Sequence, residues 1–464
     1  MTTGNDEIVI DQSRDEDAYA LDRNTVAAVL QAVEDGDRDR LVELMEPLHA
    51  ADIADLLEQI SPHDRSQLLH LYDREFDGDI LSELDESVRE EVIAELRPDV
   101  LAEAVRELES DDVVDLLEDL EQSQQEAVLE ALEHSERIAA QKALSYPEHS
   151  AGRLMQREVV MVPEHWTVGQ TIDYMRAHED LPDQFYHVVL VDPRLKPVGQ
   201  VTLGRLMAAR RDTPLRDIAE EEFHIIPLTQ DEEDVAYAFK QYHLISAPVV
   251  DDDGRLVGVI TIDDAMEVLD DEHEEDMLRM AGVDEDSSLS DTILETARGR
   301  ATWLFVNLLT AIFASLVINL FAETIDQMVA LAVLMPIVAS MGGNAGTQTM
   351  TVTVRAIATR DLTANNALRV LFREISVGAL NGLFFGLLMA VVASFWFGIP
   401  MLSAVIGLAM VLTLVAAALG GILIPLALDR LNIDPALASG PFVTTVTDVV
   451  GFFVFLGLAA QVLL

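Results

Sequence analysis

No cysteine occurs in the 464 residues of this chain. That excludes disulfides, thiol catalysis and Cys-ligated zinc, and it is compatible with a reducing cytoplasm. Lysine is nearly as scarce, with Lys142, Lys196 and Lys240 the whole complement. Positive charge altogether is short: 30 Lys+Arg stand against 82 Asp+Glu, a formal charge of −52. A chain so acidic does not seek nucleic acid or an anionic lipid surface. It can bind cations. No HExxH stretch is present, which removes the commonest helical zinc-hydrolase signature. The opening MTTGNDEIVIDQSRDED has no apolar signal core. Residues 1–20 are therefore expected to be an acidic disordered tail, with no cleaved leader carrying the acidic half outward.

The shortage of positive charge is not uniform. From Asp291 onward there are 9 acids and 7 basic residues, whereas residues 1–290 hold 73 acids and 23 basic residues. A strongly acidic soluble half thus precedes a nearly neutral apolar half. Salt or solubility adaptation accounts for such a surface as readily as specific cation binding does.

Residues 21–146 read as successive short amphipathic helices. ADIADLLEQI recurs sixty positions later as DDVVDLLEDL, and SPHD and RPDV supply helix starts. Weak internal repetition of this kind predicts a helical superhelix, a scaffold or binding surface. Residues 155–271 change texture. FYHVVLVDPRLKPVGQVTLGRLM and ISAPVVDDDGRLVGVITIDDAM share a scheme of strand, Asp/Gly turn, strand and helix start at an offset of 59. That tandem scheme resembles a pair of CBS domains, here 147–213 and 214–271, a module that often binds adenine nucleotides. In the second copy Thr261 and Asp264 match the Thr-x-x-Asp that CBS domains use on a ribose, so ATP is a candidate ligand. The first copy has Arg205 in place of that Asp. A purely structural CBS pair is the alternative.

An acidic segment, 272–300, containing DDEHEEDMLRMAGVDEDSS at its start, leads into residues 301–464. Five apolar stretches near 302–323, 328–357, 371–398, 401–428 and 441–463 each approach or exceed the ~20 residues that cross a bilayer. Basic residues in the segments flanking them number 2, 0, 4, 0, 1 and 0 in chain order. The positive-inside rule then puts the N-terminus in the cytoplasm and the C-terminus outside.

Few polar groups lie within the apolar stretches. The second carries MPIVASMGGNAGTQT, where Pro336 permits a bend and Gly342, Gly343 and Gly346 allow either close helix packing or exposed carbonyls. Asn344, Thr347 and Gln348 add neutral polar groups. Glu374 is expected at the inner edge of the third stretch, beside an arginine, and Asp434 at a Pro turn on the cytoplasmic side. Asp448 is the full charge inside the fifth. Thr444, Thr445, Asp448, Gly451 and Phe455 share one helical face. An acid at that depth faces a wet cavity or a partner, and function is the default explanation. In a symmetric dimer two such carboxylates would repel unless a cation stood between them. A hydrated Mg²⁺ would suit the gap, because Mg²⁺ gives up its waters reluctantly.

The order of helical domain, CBS pair, acidic helix and five spans resembles the MgtE family of magnesium channels. PIVASMGGNAGTQT, REISVGALNG and DPALASGPFVTTVTDVVG carry the resemblance most specifically. It implies a multidomain α-helical membrane protein in the cell (inner) membrane: a superhelical N domain, tandem CBS (α/β) domains, an acidic connecting helix that acts as a plug, and a five-span pore. It further implies a homodimer in membrane lipid whose pore lies on the dimer axis, lined by the second and fifth spans. The expected pore residues are Asp448, Asp434, Thr444, Thr445, Asn344 and Gly451. Cytosolic Mg²⁺ would close this pore by binding Asp111, Asp112, Asp115, Asp231, Glu233, Asp264, Glu267, Glu272, Glu275 and Asp276. Mg²⁺ is thus expected as both substrate and regulator. Two positions depart from the family pattern: His243 replaces a carboxylate, and EHSAGRLM lacks the usual acidic pair. Three alternatives share parts of this pattern: an ion-coupled carrier of Mg²⁺, Co²⁺, Ni²⁺ or Mn²⁺, an intramembrane hydrolase, and a membrane-anchored nucleotide receptor. An enzyme is not expected, since the membrane half has no second intramembrane aspartate to pair with Asp448.

Overall fold

Ser61 followed by Pro62 begins a helix, as the sequence suggests: the Ser61 hydroxyl accepts from the Asp64 amide and Pro62 occupies the first turn. Ten such helices between Arg23 and Ala143 wind around one apolar core, in a computed structural model that describes residues 21–463 except 121, 179–180, 183, 221, 284–292 and 364. The expected tail at 1–20 lies outside the described residues, as does part of the 272–300 segment. The sixty-residue repeat is real in three dimensions. Leu56–Leu57 and Leu116–Leu117 occupy matching helices, Ala50–Gln59 and Ser110–Asp119, and all four are buried. Buried arginines tie successive helices together. Arg65 donates to the Leu57 carbonyl (2.8 Å) and pairs with Glu91, while Arg89 donates to the Leu84 carbonyl (3.1 Å) and pairs with Asp115 (2.7 Å). Arg65 satisfies a carbonyl in the last turn of the helix Ala50–Gln59, and Arg89 also reaches the Ser82 carbonyl (3.3 Å), the last residue of the helix Asp79–Ser82, both carbonyls without a partner within the helix.

The CBS region folds as two copies of one motif. Strands β1 (Met161–Pro163), β2 (His187–Val191) and β3 (Pro197–Thr202) form one sheet; β4 (Ile226–Pro227), β5 (Ser246–Val250) and β6 (Leu256–Thr261) form the other. In each the first pair is parallel and the second antiparallel. The register repeats at the offset read from the sequence, His187 opposite Thr202 and Ser246 opposite Thr261. Asp192 and Asp251 make the same turn, each accepting from two backbone amides that follow. At its left-handed position the second turn has Gly254 (φ 75°), and the first has Leu195 (φ 62°). His187 and Ser246, equivalent in the two copies, hydrogen-bond to each other (2.6 Å).

Two compact bodies divide the chain, residues 1–270 and 271–464. The helix Ile262–Ala281 runs through that division without a break. The acidic connecting helix is therefore a continuation of the last CBS helix, not a separate element beginning at 272. It stops at Gly282, whose left-handed φ of 72° ends the helix.

In the second body five helices are long and apolar enough to cross a membrane: Thr296–Asn319, Ala330–Ala358, Ala367–Phe397, Pro400–Arg430 and Gly440–Val462. AETIDQ, expected as a loop after the first, is the short helix Ala322–Gln327. The fourth spanning helix is the most enclosed, and the second, third and fifth pack on it. Glycine at every fourth position makes the third lie close. A Cβ at Gly378, Gly382 or Gly386 would come within 2.8, 2.8 and 2.5 Å of atoms of Leu414, Val411 and Gly407. Glu374 lies 3.8 Å from Arg373, so it has the neighbouring arginine expected of it.

Candidate functional site

The second and fifth spanning helices meet through their small residues. A Cβ at Gly342 would stand 2.8 Å from Thr413 Cγ2 of the fourth helix, and one at Gly346 would stand 2.7 Å from Val443 Cγ1 of the fifth. These two glycines belong to the packing seam. Gly343 faces open space, and Asn344, Thr347 and Gln348 are exposed on the opposite side of the same helix. The alternatives left open by the sequence thus divide one residue at a time around the helix.

Asp448 is half-buried, about 12 Å along the fifth span from Gly440 at 1.5 Å per residue. Its carboxylate has no hydrogen-bond or ion-pair partner among the described residues. Thr444 and Thr445 lie one turn before it. The Thr444 hydroxyl donates to the Gly440 carbonyl (3.0 Å), and that of Thr445 to the Pro441 carbonyl. With those protons used, each threonine oxygen can only accept. Gly451 does not belong with them. It is buried, and a Cβ there would meet Thr413 Cγ2 at 3.3 Å and Val338 Cγ1 at 3.6 Å. Phe455 is wholly buried as well. The face shared on paper turns inward below Asp448, because the fourth and second helices cover it.

Asp434 is held at the head of the fifth helix, Pro435–Val462. One oxygen accepts from the Ala436 amide (2.8 Å) and the other pairs with Arg279 (2.8 Å). Arg279 also pairs with Glu275, one turn earlier on the connecting helix. Met280, beside it, packs against Met350, Val354, Ala436 and Val443, at the ends of the second and fifth helices. Asp276 stands near enough to Asp434 to feel it: burial first, then that carboxylate, pushes the Asp276 acid up.

In the first body Asp111, Asp112 and Asp264 come together. Burial raises Asp111 well above the ordinary range, helped by Asp264, Asp112 and Glu109. Burial and then Asp264 and Glu109 push Asp112 up to about 7. Glu109 and Asp263 belong to this group and escaped the sequence reasoning. Their one clue was adjacency, since each sits within two residues of a singled-out aspartate. Asp115 is spent on Arg89 (2.7 Å). Asp231 caps the helix Glu232–Tyr242, accepting from the Glu233 amide (3.2 Å), and His243 ends that helix in a left-handed conformation. His149, within the EHSAGRLM departure, pairs with Glu232 (2.7 Å). Thr261 and Asp264 are bonded to each other, Oγ1 to Oδ2 at 2.7 Å, with the Thr261 amide on the same carboxylate oxygen. Glu267 belongs to the first body, and Glu272, Glu275 and Asp276 to the second. No group of three or more acids or histidines among the described residues converges as a ready-made metal shell.

Comparison with known proteins places names beside this geometry. The family MgtE, a divalent cation transporter, matches residues 335–458; the MgtE intracellular N domain matches 48–149; and the CBS domain matches 151–212 and 215–271. The magnesium transporter MgtE of Thermus thermophilus is 34% identical over 319 residues, 68% of this chain and 70% of that one. That of Enterococcus faecalis is 33% identical over 312 residues, 67% and 69%. A crystal structure of the cytosolic domain of the Mg²⁺ channel MgtE in complex with ATP is 27% identical with a TM-score of 0.49, covering 52% of this chain and 99% of that one.

Proposed function

The chain belongs to the MgtE family of divalent cation transporters, and from that premise we propose that it imports Mg²⁺ across the cytoplasmic membrane as a homodimeric channel closed by cytosolic Mg²⁺. One observation carries the proposal. Asp448 is a carboxylate in a spanning helix with no partner among the described residues, and Asn344, Thr347 and Gln348 are exposed on a neighbouring one. Unsatisfied polar groups facing hydrocarbon each cost several kcal/mol on the order of magnitude expected in lipid. A second copy about a two-fold axis would cover them and leave a wet path between the copies.

The chemistry of that path suits a hydrated ion. Mg²⁺ that keeps its waters presents O–H donors, so the lining needs acceptors. Thr444 and Thr445 offer oxygens that can only accept, Asn344 an amide oxygen, and Asp448 the charge. Two Asp448 carboxylates balance one divalent ion in formal count. Gly451 provides room for helix packing and no ligand.

Regulation follows from the acids. Burial raises the proton affinity of Asp111, Asp112 and Asp264, and the Asp264 carboxylate adds to the rise at Asp111 and Asp112, so this group resists full ionisation. A bound Mg²⁺ would neutralise them and favour the compact arrangement. Glu267, Glu272, Glu275 and Asp276 extend the acidic surface along the connecting helix. Asp115 and Asp231, already engaged, would have to leave Arg89 and their helix cap to join. The second CBS copy would take the ribose of ATP only if Thr261 and Asp264 released each other. A cytoplasmic N-terminus and an outer C-terminus follow from the basic residues flanking the spans.

The test is Mg²⁺ uptake by vesicles containing the full chain. Asp448→Ala should abolish uptake while the dimer survives chemical cross-linking. Asp448→Asn should retain some flux with weaker preference for divalent ions. Wild-type, Mg²⁺-selective uptake by Asp448→Ala would remove Asp448 from the pore.

A further inference from the structure

Between the superhelical domain and the CBS pair lies a cavity of about 430 Å³, formed wholly within the first body. Its size falls in the range of small-molecule sites, roughly 300–1,000 Å³. Val105, Val113 and Leu132 supply an apolar wall from the helical domain, and Met155 and Leu256 supply one from the CBS side. The Tyr146 ring and the Met155 thioether give two surfaces that pack well against a flat ring.

Its charge is out of keeping with the surroundings. Residues 1–290 carry 73 acids and 23 basic residues, yet three basic side chains, Arg106, Lys142 and Arg157, line this one cavity beside two acids. The acids accept from neutral donors nearby. Glu136 accepts from the Glu133 amide (3.0 Å), and Glu158 from the Ser110 hydroxyl (2.7 Å) and the Arg157 amide (3.0 Å). None of the three cations forms an ion pair among the described residues. Arg106 spends Nε on the Ala131 carbonyl, leaving the outer guanidinium nitrogens, and the Lys142 ammonium stands 5.9 Å from the Tyr146 ring centre. In so acidic a body, a lining with three exposed cations against two carboxylates is net positive, and that suits an anion from outside.

We propose that this cavity binds a small soluble organic anion with an aromatic body. The ring enters between Tyr146 and Met155, and the anionic head stays at the rim with Lys142, Arg157 and Arg106. The site lies outside the membrane helices and outside the acids assigned to Mg²⁺, so it stands or falls separately from transport.

The probe is 4′-fluorobiphenyl-4-carboxylate, with its neutral carboxamide as control, followed by ¹⁹F line broadening on the full chain in lipid nanodiscs, with empty nanodiscs subtracted. The carboxylate should bind at least about tenfold more tightly than the carboxamide, the scale of one charge-assisted contact. Lys142→Gln and Arg157→Gln should each weaken the carboxylate and leave the carboxamide unchanged. Ala139→Trp, on the partly exposed cavity wall, should block both. Thermal melting of each variant checks that the fold is kept. Equal binding of the two probes, no binding by the wild type at millimolar probe, or carboxylate binding unchanged in both glutamine variants would overturn the proposal.

Discussion

Single residues in the membrane bundle differ sharply in what surrounds them, although the sequence offers the same small or polar letters. A Cβ at Gly421 would lie 2.7 Å from the Gly346 carbonyl oxygen and 3.0 Å from the Met350 amide nitrogen, both backbone atoms that cannot rotate away. At Gly343 a Cβ meets nothing within 4 Å. Gly421→Ala should therefore lower the melting temperature in detergent, with an overpacking penalty of roughly 1–3 kcal/mol. Gly343→Ala should melt like the wild type. Thr413 points the other way. Its hydroxyl is wholly buried and has no hydrogen-bond partner among the described residues. Thr413→Val, of the same shape, should be neutral or stabilising by up to about 1 kcal/mol, because an unmade hydrogen bond costs more than an absent one. A clear loss of thermal stability would show that the hydroxyl is engaged.

Among the elements, the end of the connecting helix is where the proposed control by Mg²⁺ can be tested. Arg279 joins Asp434 and Glu275, and Met280 seats beside it on the second and fifth helices. The ends of these two helices are thereby tied to the connecting helix. Each charge is partly exposed, so the pair contributes modestly to stability. Its importance is positional. Arg279→Ala should free Asp434 and loosen the helix end, so that vesicle uptake persists at several-fold higher cytoplasmic-side Mg²⁺ than in the wild type. Closure at the wild-type Mg²⁺ concentration would show that this contact takes no part in gating.

For the whole molecule the acid excess makes stability depend on protons and, under the proposed regulation, on Mg²⁺ as well. Asp111 and Asp112 hold protons more tightly folded than unfolded, Asp112 up to about 7. The folded state then binds more protons than the unfolded between the ordinary carboxylate range and about pH 7, so without Mg²⁺ stability falls as pH rises through that window. Amide exchange in the helix Ser110–Asp119, corrected for intrinsic rate, should be slower at pH 6 than at pH 8 when Mg²⁺ is absent. Millimolar Mg²⁺ should protect the helix most at pH 8, where the carboxylates are free of protons. KCl of matched ionic strength should not, since screening is not ion-specific. Equal protection by KCl would leave a solvated acidic surface and no sensor.

Much of this protein was legible from local properties. Run length set the five spans, repetition at 60 and 59 residues set the superhelix and the CBS pair, and a carboxylate in an apolar helix singled out Asp448. Each depends on residues near one another in the chain, where spacing and hydropathy act directly. What the sequence left undecided was which face each helix turns to which neighbour. Gly451 shares a helical face with Asp448, yet it packs against Thr413 and Val338 because the fourth helix covers that side. Thr261 and Asp264 close on each other, and Glu109 joins Asp264 across two domains. Asp434 finds Arg279 at a separation of 155 residues. Helical periodicity fixes the direction of a side chain relative to its own axis; what it meets there depends on how separate elements pack, and only the tertiary structure decides that.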